Sequence, residues 1–216
     1  RILFRLLSIL IISAAALGCS DKQPIRVACV GDSITEGHGL DNPPAESYPA
    51  IMQEILGRGY EVGNFGLGGR TALSNGNHPY INEPIYADAL SFEPDIVTSA
   101  LGTNDTKPYN WILGHELEEN VRAWVDSFLA LPKKPVVYLC LPVPSDDNEF
   151  QIDDAVLTRE VIPVLRDVAS EKGIQVIDLY QALEPYPEDF PDGVHPNAEG
   201  SRKIAETIAK AIKPAK

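Results

Sequence analysis

Basic residues are scarce in this chain of 216 residues, which has 18 Lys and Arg against 31 Asp and Glu. The formal net charge of -13 repels phosphate backbones, and no basic stripe offsets that repulsion. Nucleic acid is therefore not an expected partner. A chain of this length suits one domain, whose core is large enough to be stable without metals or disulfide bonds.

Cysteine is also rare, with three residues at positions 19, 29 and 140. Their spacing does not suggest a zinc site, so no metal is expected. Cys29 and Cys140 lie within apolar runs, where a thiol packs as a small hydrophobic group. Both are predicted to be buried free thiols, although an export compartment would permit a disulfide.

A single long apolar run occurs at residues 6–17, after Arg1 and Arg5. As a helix it would measure about 18 Å against a hydrocarbon core of about 30 Å, so it predicts an export signal and not a spanning anchor. Residues 16–19 resemble a bacterial lipobox, which implies a signal peptide at 1–18 and lipidation of Cys19, with plain secretion as the alternative. The expected location is the bacterial periplasm or cell envelope, with membrane contact through this anchor alone. Residues 19–24 would then be a linker to a domain at 25–216.

From residue 25 onward, short β-rich runs alternate with longer segments at helical period, which predicts a parallel sheet covered by helices on both faces. The predicted strands are 25–30, 60–65, 95–101, 135–141 and 174–178. The predicted helices are 47–56, 83–91, 115–131, 153–171 and 197–212, and Pro163 predicts a kink or break in the fourth. Loops that follow the strands, including 70–82 and 143–152, are expected to line a ligand crevice.

A serine follows the first predicted strand directly, in the segment Gly31-Asp32-Ser33. This position would project Ser33 from the sheet edge toward the crevice. A turn or helix-cap role is the alternative, because serine after a strand commonly has one. The segment does not have the Gly-x-Ser-x-Gly pattern of an α/β-hydrolase elbow, since Thr35 replaces the last glycine.

A carboxylate and an imidazole lie three residues apart just before the last predicted helix, as Asp192 and His195. A serine hydroxyl is a weak nucleophile unless a base accepts its proton, and histidine does so at neutral pH when a third group fixes its tautomer. Asp192 and His195 are therefore candidate partners of Ser33. Taken alone, Asp192 would be better interpreted as part of a helix-entry turn and His195 as a surface loop residue.

Two segments could stabilise an oxyanion. A run after the second strand contains Gly66, Gly68 and Gly69, whose backbones can approach a ligand closely. After the third strand, Asn104 offers a side-chain amide donor. Both are also typical of glycine-rich turns. The run lacks the Gly-x-Gly-x-x-Gly spacing of a dinucleotide site.

In chain order, these segments resemble the four sequence blocks of the SGNH hydrolases, also called GDSL esterases. The resemblance implies that Ser33 is the nucleophile and that Asp192 and His195 complete a catalytic triad. It also implies an oxyanion hole formed by Ser33, Gly69 and Asn104, and it implies no cofactor. Its assignment of Gly69 over the two neighbouring glycines rests on the alignment of this one block.

The resemblance extends over residues 25–212 and implies a flavodoxin-like three-layer sandwich with a five-stranded parallel sheet of order 2-1-3-4-5. In this order the strand at 95–101 separates those of Cys29 and Cys140, which puts the two thiols beyond disulfide reach.

The resemblance indicates the substrate less specifically than the reaction, because the family includes lipases, thioesterases and sugar deacetylases. Residues 102–111 and 190–200 resemble those of bacterial carbohydrate O-acetylesterases, sialate O-acetylesterases included, which implies hydrolysis of acetyl esters on a small molecule or glycan. A lysophospholipase or thioesterase is the enzymatic alternative. A non-catalytic carbohydrate-binding lipoprotein is the alternative outside enzymes.

Loop side chains provide candidates for substrate binding. Flat aromatic faces pack on sugar rings, so Tyr80, Tyr109 and Trp111 are candidate sugar platforms, unless they pack the loops onto the core. Arg70 or Lys107 would pair with a substrate carboxylate, although a structural contact is the favoured interpretation of Arg70.

Overall fold

The computed structural model describes residues 23–213, in which five parallel strands form one sheet. The strands are β1 (Ile25–Gly31), β2 (Tyr60–Gly66), β3 (Ile96–Ala100), β4 (Val136–Leu141) and β5 (Gln175–Asp178). Their order across the sheet is β2-β1-β3-β4-β5, with parallel pairing throughout. The five predicted strands and their order are confirmed. The predicted signal peptide at 1–18 and the candidate lipidation site Cys19 lie outside the described residues.

The longer helices occur where the sequence predicts them. They are α3 (Tyr48–Leu56), α4 (Pro84–Ser91), α6 (Leu117–Leu129), α8 (Ile162–Lys172) and α10 (Ala198–Ile212). Between them lie the short helices α1 (Ser33–Glu36), α2 (Pro43–Glu46), α5 (Pro108–Trp111), α7 (Asp154–Val156) and α9 (Leu179–Leu183). Within residues 23–213, no helix has both the length and the apolar character needed to span a bilayer.

Side chains of each strand alternate between two cores, one on either face of the sheet. In β1, Val27 and Cys29 pack in the core that contains buried residues of α3 and α10. Ala28 and Val30 point to the opposite core, which contains buried residues of α4, α6 and α8. Helices therefore cover both faces of the sheet, which confirms the expected three-layer α/β sandwich.

Both thiols within the described residues are free and buried. Cys29 lies in β1 and Cys140 in β4, and β3 runs between these two strands. Burial raises the pKa of Cys29 to about 12 and raises that of Cys140 as well, because the thiolate loses its hydration in the core. The prediction of two buried, unpaired thiols is confirmed.

The fourth predicted helix is irregular next to its proline. A π-helical turn at Leu157–Val161 separates α7 from α8, and Pro163 occupies the first turn of α8. Proline has no N–H to donate, and the first turn of a helix is where that donor is not needed. The predicted kink or break takes the form of this widened turn.

Candidate active site

Ser33 lies at the carboxyl end of β1 and is the first residue of α1. Asp32 caps this short helix, since its Oδ1 accepts a hydrogen bond of 3.0 Å from the backbone N–H of Ile34. A Cβ on Gly66, at the end of β2, would lie 2.1 Å from the backbone nitrogen of Glu36, so glycine is required for α1 to pack this closely. The Ser33 N–H, at the start of the helix, has no partner within the helix.

The structure brings His195 and Asp192 to Ser33. The Nε2 atom of His195 lies 2.9 Å from the Ser33 Oγ, and its Nδ1 lies 2.7 Å from the Asp192 Oδ2. The other Asp192 oxygen accepts hydrogen bonds from the backbone N–H groups of Val194 (2.9 Å) and His195 (2.7 Å). An ionised carboxylate only accepts, so Nδ1 carries the ring proton and Nε2 presents its lone pair to Ser33.

Burial lowers the pKa of His195, and the positive charges of His38 and Lys107 act in the same direction, while the hydrogen bond to Asp192 opposes them. For Asp192, partial burial favours the protonated form, but the hydrogen bonds from His195 and Val194 outweigh it and hold the pKa below its ordinary value. Near neutral pH the pair is therefore a neutral imidazole hydrogen-bonded to an ionised carboxylate.

Candidate oxyanion donors surround Ser33. Gly68 and Gly69 both line the cavity next to it, whereas Gly66 packs against α1. Gly69 has a φ of 78°, which side chains rarely allow, and a Cβ added there would meet no atom within 4 Å. Glycine is therefore needed at this position for its backbone conformation. Its N–H finds no backbone acceptor among residues 23–213.

Asn104 completes this side of the cavity and is 5% exposed. Its Nδ2 lies 3.2 Å from the carbonyl oxygen of Arg70 and 3.3 Å from the Asp32 Oδ2. Asn110 holds the backbone at this point, because its Nδ2 donates to the Asn104 carbonyl oxygen at 2.8 Å. Hydrogen bonds thus hold both the backbone and the side-chain amide of Asn104 at the wall of the cavity.

Two buried carboxylates, Asp32 and Asp105, lie behind the site and help to hold it in place. Sequence reasoning did not indicate this role for either of them. Asp105 accepts hydrogen bonds from the N–H groups of Ala72 (3.0 Å) and Leu73 (2.7 Å), which ties the loop after Gly69 to the turn that contains Asn104. Burial raises the pKa of Asp105 to about 6 and that of Asp32 to about 7. The signal for Asp105 was its place directly after Asn104.

The cavity at Ser33 has a volume of about 170 Å³. Phe150 sets the edge of its ring against the His195 imidazole, with 4.9 Å between ring centroids, and His38 covers the same imidazole at 4.5 Å. Sequence reasoning missed both residues. The remaining lining residues are Gly68, Gly69, Thr103, Asn104, Lys107, Ile152 and Val194.

The candidate substrate-binding residues are mostly not at this cavity. Tyr80 is fully buried against Tyr86 and Trp124, and its hydroxyl donates to the Phe65 carbonyl oxygen, so its prediction as a sugar platform is wrong. Trp111 packs on the core and Tyr109 is exposed, and neither ring lines the cavity.

Of the two candidate cations for binding a carboxylate, one lines the cavity and the other does not. Arg70 pairs with Glu83 at 2.9 Å and donates to the Gly68 carbonyl oxygen at 2.6 Å, which is the structural contact favoured for it. Lys107 lines the cavity.

Similar proteins occur among known sequences and solved structures. An acetylxylan esterase from Xylanibacter ruminicola is 43% identical over 210 residues, which are 89% of this chain but 44% of that protein. The chain thus spans less than half the length of this relative. Among solved structures, a carbohydrate acetylesterase from Sinorhizobium meliloti is similar with a TM-score of 0.74 and 24% identity, over 87% of this chain and 97% of that one. The aryl esterase of M. smegmatis has a TM-score of 0.70 and 22% identity, over 87% and 97% of the two chains.

These structural likenesses show the shared fold. The sequence model of the GDSL-like lipase/acylhydrolase family matches residues 29–203, which include Ser33, Asn104, Asp192 and His195. The chain belongs to the GDSL-like lipase/acylhydrolase family.

Proposed function

We propose that the protein is a serine esterase that removes acetyl groups from carbohydrates. The observation that carries this proposal is the chain of hydrogen bonds from Asp192 through His195 to the Ser33 hydroxyl, which ends in a cavity with amide donors. A nucleophile, a base and an orienting carboxylate in this arrangement support acyl transfer.

In the first half of the reaction, Nε2 of His195 takes the Ser33 proton while Oγ forms a bond to the ester carbonyl carbon. The carbonyl oxygen becomes negatively charged and is stabilised by the N–H groups of Ser33 and Gly69 and by the Asn104 amide. The C–O bond to the sugar then breaks, and the sugar oxygen receives the proton from His195. Acetyl-Ser33 remains.

In the second half, His195 takes a proton from water, whose oxygen attacks the acetyl carbonyl carbon. The same donors stabilise the second oxyanion. When the bond from the carbonyl carbon to Oγ breaks, the proton on His195 returns to Ser33 and acetate is released. Asp192 keeps its charge throughout and stabilises the imidazolium that forms in each half.

Two observations support an acetyl group on a sugar. The cavity of about 170 Å³ is smaller than pockets that enclose drug-sized ligands, which measure about 300–1,000 Å³, so a long acyl chain would not be enclosed. The relative at 43% identity is an acetylxylan esterase. Acetylated xylan fragments are therefore a suitable first substrate.

The test measures acetate release from acetylated xylo-oligosaccharides and compares p-nitrophenyl acetate with p-nitrophenyl octanoate. We expect acetate release, and a kcat/KM for the acetate at least about tenfold above that for the octanoate, because a fit to one acyl size of this kind is worth 1–3 kcal/mol. A strong preference for octanoate would contradict acetyl specificity and favour a lipase-type activity.

The pH dependence of kcat/KM should reflect the neutral form of His195. Only the neutral ring can accept the Ser33 proton, and burial keeps it neutral to a lower pH than usual. We expect activity on p-nitrophenyl acetate to be lost as pH falls, with a midpoint below the ordinary histidine value of about 6.5. Circular dichroism over the same range separates this loss from unfolding. A midpoint above about 7 in a folded protein would contradict the role of His195 as the base.

A further inference from the structure

Lys107 supplies the one fixed positive charge among the residues that line the cavity at Ser33. No Asp or Glu lines it, although the chain contains 31 of these residues. The remaining lining residues are neutral apart from His38 and His195, which become cations on protonation. The cavity is thus locally positive in a protein with a net charge of -13.

The Lys107 ammonium is not used to hold the structure together. Within residues 23–213, no carboxylate oxygen lies within the 4.0 Å ion-pair distance of its nitrogen. Arg70, the other candidate for binding a carboxylate, is held by Glu83. Of the two cations, Lys107 is the one available to a ligand.

The carboxylates near the site accept hydrogen bonds from groups other than Lys107. Asp32 and Asp105 accept hydrogen bonds from backbone N–H groups in the interior, and burial raises the pKa of Asp32 to about 7, so that this carboxyl is only partly ionised near neutral pH. Asp192 accepts from His195 and Val194. Each of these carboxylates thus has hydrogen-bond partners of its own, and within residues 23–213 none of them forms an ion pair with Lys107.

The charge of Lys107 also acts on the catalytic His195 and on Asp32 behind the site. It lowers the pKa of His195 and that of Asp32, in each case beside the larger effect of burial. Lys107 and Ser33 line the same cavity of about 170 Å³, so a substrate group bound to Lys107 would lie near the ester attacked by Ser33.

We infer that the acetylated substrate is a sugar acid, a carbohydrate that carries a carboxylate close to the acetyl ester, and that Lys107 binds this carboxylate. The inference rests on the proposed esterase function and names its substrate class. A charge-assisted hydrogen bond to the ammonium holds the ring in place. Because the remainder of the protein repels anions, this local contact is what permits an anionic substrate to bind.

The test compares two substrates of the same shape. One is fully O-acetylated methyl glucuronoside as the free acid, and the other is its neutral uronamide. We expect the enzyme to prefer the acid about tenfold in kcat/KM, as a hydrogen bond to a charged group provides. In Lys107→Met this ratio should fall to about one, and in Lys107→Arg most of it should remain. Lys210→Met removes the same charge from an exposed position on α10 and should keep the wild-type ratio.

The outcomes separate the inference from the function it rests on. Equal kcat/KM for acid and amide in the wild type, with both deacetylated, would overturn the inference and leave the esterase intact. An acid preference that persists in folded Lys107→Met would show that Lys107 does not bind the carboxylate. No release of acetate from either sugar or from p-nitrophenyl acetate would overturn the proposed function itself.

Discussion

Replacing Ser33 with alanine is expected to lower kcat for acetyl esters by at least about 10⁴-fold, because the variant has no oxygen to form the acyl-enzyme. The residual rate would come from the amide donors and from binding alone. Within residues 23–213 the Ser33 hydroxyl makes one side-chain hydrogen bond, with His195 Nε2, so its removal should change the free energy of unfolding by less than about 1 kcal/mol.

The measurement is the release of p-nitrophenol and of free acetate by Ser33→Ala, with the thermal midpoint recorded on the same preparation. Ser91→Ala is the matched control, since Ser91 is exposed at the end of α4 and lies outside the cavity. We expect it to retain wild-type turnover. A folded Ser33→Ala that keeps most of its activity would exclude Ser33 as the nucleophile and with it the proposed mechanism.

The three central strands, β1, β3 and β4, could be predicted from the sequence because most of their residues are buried on both faces of the sheet. Val27 and Cys29 point to one core and Ala28 and Val30 to the other, so the strand is one continuous apolar run with turn-forming residues after it. The short helices could not be predicted in the same way. A four-residue helix such as α1 is hardly more than one turn, which is too short for a periodic pattern, and it is stabilised by tertiary packing and by the Asp32 cap.

The contact between Asp192 and His195 could be predicted from the sequence because the two residues are neighbours in the chain. Asp192 and His195 are three residues apart, so one turn is enough to bring the carboxylate to Nδ1. Ser33 is 162 residues from His195, and its position followed from the rule that loops after parallel strands meet at one edge.

The residues that sequence reasoning misplaced depend on packing between distant segments. Tyr80 is in a loop, where aromatic residues are commonly exposed, but here the loop folds over α6 and buries the ring against Trp124. Phe150 and His38 reach His195 from two different loops, and nothing in either local sequence indicates a contact with that ring. Loop conformation is what decides such contacts, and periodicity does not report it.

The second large effect is expected for Asn104→Ala, which should lower kcat by about 10²- to 10³-fold with little change in KM. The Asn104 hydrogen bonds to Arg70 and Asp32 measure 3.2 and 3.3 Å, longer than the usual value of about 2.9 Å, so the amide can turn a proton toward a stronger acceptor. Such an acceptor arises when the carbonyl oxygen becomes negatively charged, and for that reason the contact strengthens in the transition state more than in the bound ester.

Asn104→Asp sharpens this prediction, because it keeps the shape of the side chain and replaces the donor with a carboxylate. Repulsion of the oxyanion should make its kcat at least as low as that of Asn104→Ala, whereas a purely structural role would favour the isosteric variant. Asn75→Ala, at an exposed asparagine whose side chain bonds to Glu116, is the control and should keep the wild-type kcat. A kcat within about threefold of wild type in folded Asn104→Ala would remove Asn104 from the oxyanion hole and leave the N–H groups of Ser33 and Gly69 as its donors.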